Sequence, residues 1–552
     1  MSRIGDLVQT VPLLDRLRKE CPDCAIDLVV NRPCAPMAAL LPGIRQAFSD
    51  DVHAQMGHVP IDADRTSLEH AVMCWAEPFR TVRYDRVINL TFTRRSGWLA
   101  AALGVADTRG VVMTPAGTSV IRNSWFIYFA DILRYRRFNR FNLVDLFALG
   151  GSGHGTYTPV RLTIPSSGEN WASAEFPKIE SQTPRVAVQV GASQAVKAWR
   201  PESFGRTMAA MSRSMAVDFV LTGLASETNL AKQAMAAYRA AGGTRPLYDT
   251  TGRTDLAQVA GLLERCALLL SNDTSTMHLA AGVGVPVINL SLGSVSFWET
   301  GPYGSGHWVI QPDPPHTASQ DQIVPEQVAD LALHVLGRAP FPSSWTGVQV
   351  YESGLDADGL NDYRQRAGRH DASSHWYGTF WRRFWYETSG QQQSRLVLKE
   401  PCPDLNEQQD CFRALSPLAD QLVAQTTHLV HLTQQEGPLP ALLPATDVLG
   451  DTHRRLVSVT TPSSAFGPLT VALNRDLQNG QVITVKDLAR QHLSAYQTFR
   501  TRAHSMIEQL TGERGVSEET GQGRTGRGEG EHDAQKRESV LLHMEQPVSL
   551  RS

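Results

Sequence analysis

Residues 267–290 carry four runs in succession: Ala267-Leu268-Leu269-Leu270-Ser271, Asn272-Asp273-Thr274-Ser275-Thr276-Met277-His278, Leu279-Ala280-Ala281-Gly282-Val283-Gly284 and Pro286-Val287-Ile288-Asn289-Leu290. The outer runs are short, continuous and apolar, as strands buried on both faces of a parallel sheet are. The small-residue run between them predicts a helix, so the segment reads as strand–helix–strand. Its hydroxyl residues fall where the first strand hands over to the helix. Free backbone N–H groups and the positive end of the helix dipole meet at that point, which suits an anion such as a diphosphate. The same residues would also make a plain helix N-cap.

The alternation continues on both sides. Upstream, Arg185–Val190 and Val217–Thr222 predict strands and Leu256–Glu264 a helix. Downstream, a Pro-rich loop (Gln311–His316) precedes a helix over Pro325–Leu336. Together they predict a Rossmann-like domain over 183–340. Residues 1–165 form a first α/β stretch, with strands at Ala25–Val30 and Arg86–Leu90 and a small-residue helix at Gly97–Leu103. Gly150–Gly155 and Ser166–Gln182 are polar and Gly/Ser-rich, and predict a linker between the two domains. Two open α/β domains bind ligands at the carboxyl ends of their strands, in the cleft between them.

Beyond Pro342 the rhythm stops. Leu415, Leu418, Leu422, Leu429 and Leu432 follow helical spacing, interrupted by Gln425, and read as internal packing. Thr484 and Asp487 form a capping pattern that opens a helix over Val485–Leu510. Residues 346–510 are therefore expected to be a helical extension of unassigned role. Residues 511–552, rich in Gly, Glu, Arg and Ser, are expected to be disordered.

A formal charge of −3 over 552 residues argues against a general nucleic-acid binder. No apolar run reaches the roughly 18 residues of a membrane span, and Met1–Asp6 lacks the apolar core of a secretory signal. A cytoplasmic location is expected. Seven cysteines do not make a disulfide framework in a chain this long. Cys21-Pro22-Asp23-Cys24 has redox or zinc spacing, with Cys34 and Cys74 as conceivable partners. It follows a helix and precedes a strand, the reverse of a thioredoxin-like motif, and no second such pair exists. These read as structural thiols, and no metal is expected.

Three separated segments then line up: Ile4-Gly5-Asp6-Leu7-Val8-x-Thr10-x-Pro12, Lys197-Ala198-Trp199-Arg200-Pro201 and Asp273-Thr274-Ser275-x-x-His278. Tyr84–Leu90, Arg95-Ser96, Gly223-x-x-x-Glu227 and Thr251-Gly252-x-Thr254-Asp255-Leu256 accompany them. In this order and spacing they resemble glycosyltransferase family 9, the ADP-heptose:lipopolysaccharide heptosyltransferases, over roughly residues 1–340. The resemblance implies a GT-B architecture and metal-free, inverting transfer from a nucleotide-sugar, without a cofactor. It implies Asp6 as general base, whose alternative is a helix N-cap for Leu7–Arg18. It implies donor binding by Ser193, Lys197, Glu227, Thr254, Asp273, Thr274, Ser275, Thr276 and His278. Arg94 and Arg95 would stand near the acceptor, a lipopolysaccharide-core glycolipid or related surface glycan at the cytoplasmic face of the inner membrane.

Two departures stand out. The family usually has Gly where this chain has Ser275, which matters if the position needs positive φ or close approach to phosphate. Family members also carry an apolar strand before the Gly-Asp pair, and Met1–Ile4 is too short for one; either the true start lies upstream, the favoured expectation, or the first domain lacks a central strand. Trp125–Phe129, followed by Arg134, Arg136, Arg137 and Arg140, reads equally as a contact for anionic lipid or as a core helix with a basic face. Rival readings of the whole are a GT-B enzyme with another donor and a degenerate, non-catalytic docking platform.

Overall fold

The computed structural model describes residues 3–50, 73–74, 77–79, 81–115, 117–131, 136–153, 158–176, 183–313, 320–390, 392–398, 402–403, 409–435, 442–461, 463, 466–479, 484–511 and 539–543. The expectations for Arg134, residues 177–182, His316 and most of 511–552 fall outside them.

Two sheets organise the chain. The C-terminal lobe holds β6 (Arg185–Gln189), β7 (Asp218–Thr222), β8 (Leu247–Asp249), β9 (Leu268–Asn272), β10 (Val287–Leu290) and β11 (Trp308–Pro312), all parallel. Its order, led by β13 (Asn361–Ala367) and β12 (Val348–Leu355), is β13-β12-β11-β10-β9-β6-β7-β8. Alternate residues feed opposite faces. Val186, Val188, Leu268, Leu270 and Ile288 meet Phe204, Met208, Tyr238 and Leu331 on one side. Ala187, Leu269 and Val287 meet Ala260, Leu263, Met277 and Leu279 on the other. Both faces are covered, which is why these strands read as unbroken apolar runs.

The antiparallel hairpin β12 (Val348–Leu355) and β13 (Asn361–Ala367) extends this sheet beyond β11. The start of the expected helical extension is therefore strand, with a turn around Gly359 at φ 78°. The linker also differs from expectation: Leu143–Gly151 and Ser166–Glu175 are helices. The second packs so closely on Leu256–Glu264 that a Cβ on Gly168 would lie 2.1 Å from the Ala257 carbonyl oxygen.

The N-terminal lobe has the order β2-β1-β14-β3-β4-β5, from β1 (Ala25–Asn31), β2 (Ile44–Asp50), β3 (Arg86–Asn89), β4 (Asp107–Met113) and β5 (Ser119–Arg122). The central place, which Met1–Ile4 is too short to fill, is taken by β14 (Ser539–His543), parallel to both neighbours, with Leu541 in register with Asp27 and Val87. This corrects the reading of the tail as wholly disordered. Backbone groups on the facing edges of β1 and β3 require partners, and Ser539-Val540-Leu541-Leu542-His543 is the tail's apolar run.

Helix Ala372–Gly390 ties the extension to the N-terminal lobe. Arg382, buried, pairs with Asp356 and donates to the carbonyls of Arg140 and Asn361. Helices Gln409–Gln434 and Val485–Thr511 pack together, and their Leu415, Leu422, Phe499 and Met506 share one core with Leu13, Phe126 and Leu146 of the lobe. Thr484 caps the second helix through the N–H of Asp487 at 3.1 Å. Trp125, Phe126, Tyr128 and Arg140 lie inside this core, and Arg140 donates to the carbonyls of Arg137, Asn139 and Ser374. The core-helix reading describes these side chains; they present no lipid-facing surface. Among the described residues no helix is long and apolar enough to cross a membrane.

Candidate active site between the lobes

In the C-terminal sheet β6 lies between β9 and β7, so the chain leaves β6 in one direction and returns on its other side at β9. Loops after two such strands diverge and leave a crevice at their carboxyl ends. The loop after β6 carries Ser193 and, in a short turn Ala195–Lys197, Lys197. The loop after β9 carries Asp273 and Thr274, and Ser275–Gly282 is the following helix.

Fully buried Asn272 joins these loops. Its Oδ1 accepts from the N–H of Trp199 at 2.9 Å, and its Nδ2 donates to the carbonyls of Val190 (2.8 Å) and Gly191 (3.1 Å). Removing it would leave three backbone groups unpaired around the Lys197 turn. Thr276 donates to Gln189 at 3.2 Å, and Gln189 donates to Glu227 at 2.8 Å. Glu227 also accepts from the N–H of Leu224 at 2.7 Å. Gly191 and Gly223 leave room for its carboxylate, which a Cβ on either would meet. The loop bearing Thr254 docks beside it, with Gly252 N–H donating to Gly223 at 2.9 Å. Glu227 and Thr254 thus follow β7 and β8, in line with the β6–β9 crevice along the same edge. The Thr254 hydroxyl is buried without a partner among the described residues.

Thr274 has extended backbone (φ −142°, ψ 165°) and Ser275 begins the helix. The only described non-glycine residue at positive φ is Asn123. Serine at 275 therefore carries no backbone strain, which answers the positive-φ part of the first departure noted above.

Burial pushes the Asp273 carboxyl above the usual carboxylate range, opposed by Lys197, Arg3 and Arg136. Cations from both lobes therefore bear electrostatically on the partly buried Asp273. His278 is buried and its imidazole is pushed down to about 4 by desolvation, so it is neutral at ordinary pH and acts as a hydrogen-bonding group rather than a charge.

The N-terminal lobe meets this element through Gly5. A Cβ there would lie 2.7 Å from His278 Cδ2. Gly5 is not at positive φ, so close approach is what requires glycine. Asp6 follows in helix Ile4–Val8, buried, with its charge felt by the Cys34 thiol. It is not an N-cap: Arg3 holds that place. Nor does one helix run from Leu7 to Arg18. Val11–Glu20 is a second helix, because Pro12 has no N–H to offer Val8. Arg94 and Arg95 open helix Arg94–Ala102 after β3, and Arg94 reaches the Gly117 carbonyl at 3.4 Å.

Gln189, Arg3 and Glu299 were not singled out from the sequence; Asn272 appeared there only as the first residue of the motif, and Arg136 only within the aromatic–basic run. Asn272 opens the motif and Gln189 ends a strand, so position could have flagged them. Arg3 and Arg136 become neighbours of Asp273 only in the folded chain.

Two facing Rossmann-like lobes with a crevice at the carboxyl ends of their strands make a GT-B architecture. Residues 75–327 match the model of glycosyltransferase family 9 (heptosyltransferase). Over these residues the chain is similar to the family 9 heptosyltransferases. It is 24% identical over 291 residues to lipopolysaccharide heptosyltransferase 3 of Escherichia coli (strain K12), covering 52% of this chain and 79% of that one. Similar solved structures include the E. coli ADP-heptose lps heptosyltransferase II (19% identity, TM-score 0.47, 61% of this chain and 97% of that one). Another is a glycosyl transferase family 9 protein from Veillonella parvula DSM 2008 (18%, TM-score 0.46, 61% and 96%).

Proposed function

We propose that this chain transfers a sugar, in the first instance heptose from ADP-heptose, to a lipopolysaccharide-core or related surface-glycan acceptor with inversion. The observation that carries this is the meeting of three sequence motifs. The Lys197 turn and the Asp273–His278 element share a crevice, and Gly5, next to Asp6, rests on His278. The acceptor hydroxyl oxygen attacks the anomeric carbon as its proton passes to the Asp6 carboxylate. The bond from that carbon to the diphosphate oxygen breaks, and its electron pair leaves with the nucleotide.

Lys197 and the N–H groups opening helix Ser275–Gly282 stabilise the departing charge. Neutral His278 hydrogen-bonds sugar or phosphate, while Glu227 and Thr254 face the nucleoside. Side-chain cations fill the role that a metal would have, so the reaction is written without one. Arg94 and Arg95 meet a glycolipid acceptor at the cytoplasmic membrane face. A different nucleotide-sugar remains the second reading, favoured by Ser275 standing where the family usually has Gly.

ADP release from ADP-heptose with lipopolysaccharide core tests the proposal. Asp6→Asn lowers kcat by about 10²–10⁴, the range for one general base, with ADP affinity unchanged. Transfer at the native rate by Asp6→Asn removes the base assignment.

A further inference from the structure

Arg136 belongs to the N-terminal lobe by sequence but to the C-terminal lobe by partner. It opens the short turn Arg136–Phe138, and its Nε lies 2.7 Å from both carboxylate oxygens of Glu299. Glu299 is only 4% exposed, in helix Phe297–Thr300. That helix follows β10, the neighbour of β9, and β9 ends beside Asp273. The Arg136 side chain keeps 41% of its surface exposed although its partner is buried. A guanidinium presents donors along more than one edge, so gripping Glu299 with one edge leaves another for a second anion.

Charge points the same way. Lys197, Arg3 and Arg136 bear on Asp273. With Glu299 and Asp6 the local carboxylates number three and balance these cations, so a donor diphosphate brings negative charge to a crevice whose nearest cations it can share. An ion pair with one buried member is seldom favourable for stability alone, since desolvation consumes much of the attraction.

We propose that Arg136 is a ligand of the donor diphosphate supplied by the opposite lobe, with Glu299 as the residue that positions it. This rests on the donor-crevice reading above. It makes the donor site composite, so phosphate recognition depends on the lobes being together. Arg136 then contributes to discrimination between a nucleoside diphosphate and its monophosphate.

The test measures affinities of the full chain for ADP, UDP and GDP, each beside its monophosphate, by calorimetry. Four proteins are compared: native, Lys197→Ala, Arg136→Lys and the double variant Arg136→Gln/Glu299→Gln. The double variant leaves no orphaned buried carboxylate, and Arg136→Lys keeps the charge opposite Glu299 while losing the fork. The expected result is a diphosphate-over-monophosphate preference lowered about tenfold or more in the double variant, the order for one charge-assisted bond to phosphate. Arg136→Lys is expected to fall between it and the native protein. A preference that falls in Lys197→Ala but stays native in both Arg136 variants overturns the assignment and leaves the donor crevice intact. Absence of binding by the native chain for every diphosphate overturns both. A merely structural latch would lower the unfolding temperature and leave the preference unmoved.

Discussion

The two lobes are built from the same kind of unit and differ in where their parts come from. The parallel sheet of the C-terminal lobe is drawn wholly from residues 185–312, each strand joined to the next by a local connection. The N-terminal sheet takes its central strand from residues 539–543, and its core is closed by helices from residues 372–511. One lobe can in principle fold from its own stretch of chain; the other cannot be completed until the far end has been made. Contacts across such separations carry a large loop-closure cost and form late.

The largest expected effect attacks this difference directly. Leu541→Pro removes a backbone donor from a strand with neighbours on both sides, a place proline does not occupy in sheets. Loss of about 3 kcal/mol or more is expected. The prediction for chemical denaturation is a split transition, in which the N-terminal lobe melts early while ADP binding by the C-terminal lobe weakens less. An unchanged denaturation curve would mean that Ser539–His543 does not hold the central place in solution.

The same contrast explains what could be read from residues alone. Asn272–His278 declared itself because strand, hydroxyl turn and helix are contiguous, and the strand Leu268–Asn272 and helix Leu256–Glu264 appear within a residue of their expected limits. Asp6 was singled out through its motif, and its setting was misjudged: local pattern suggested one helix from Leu7, whereas Pro12 divides it. The aromatic–basic run after Trp125 admitted two readings, because burial by helix Ala372–Gly390 is a property of a distant segment. Tyr128 packs against Trp385 at a ring separation of 5.7 Å, and nothing near residue 128 announces it. Arg136 was legible as a charge and illegible as a neighbour of Asp273.

Where the lobes touch, Gly5→Ala comes next in size. The added methyl would press on His278, and overpacking of this kind costs about 1–3 kcal/mol. Because the strain falls on the junction, transfer is expected to fall by more than ADP affinity does. Equal losses in both would place the damage in the C-terminal lobe instead. Steady-state kinetics beside calorimetry on the same preparation makes the comparison.

The His278 imidazole provides a gentler probe. Its pKa is depressed to about 4 in the fold and 6.5 is the ordinary value, so its contribution to stability is complete above pH 6.5 and is lost as pH falls through 4. Between those values the unfolded chain gains a proton that the folded chain refuses. At pH 5 the loss amounts to about 2 kcal/mol. His307, also held near 4 by burial, adds a similar loss of its own. His278→Asn should therefore remove only part of the acid sensitivity, seen as a smaller fall in denaturation midpoint between pH 7 and pH 5 than in the native chain. An identical fall in both proteins would show that this imidazole is not shielded from water.

Ser275→Gly is the smallest change and bears on whether the donor crevice tolerates its departure from the family. Ser275 is the first residue of a helix with ordinary backbone, so glycine relieves no strain there and adds conformational freedom to the unfolded chain. A loss of about 0.5–1 kcal/mol or less is expected. Affinity for nucleotide then decides between two roles. If the serine hydroxyl faces phosphate, glycine weakens binding of every diphosphate alike, whereas a side chain that only crowds the donor makes glycine tighten it. A tighter site would mean that residue 275 restricts which sugar-nucleotides enter, and it would place donor selection within the lobe that folds from local sequence.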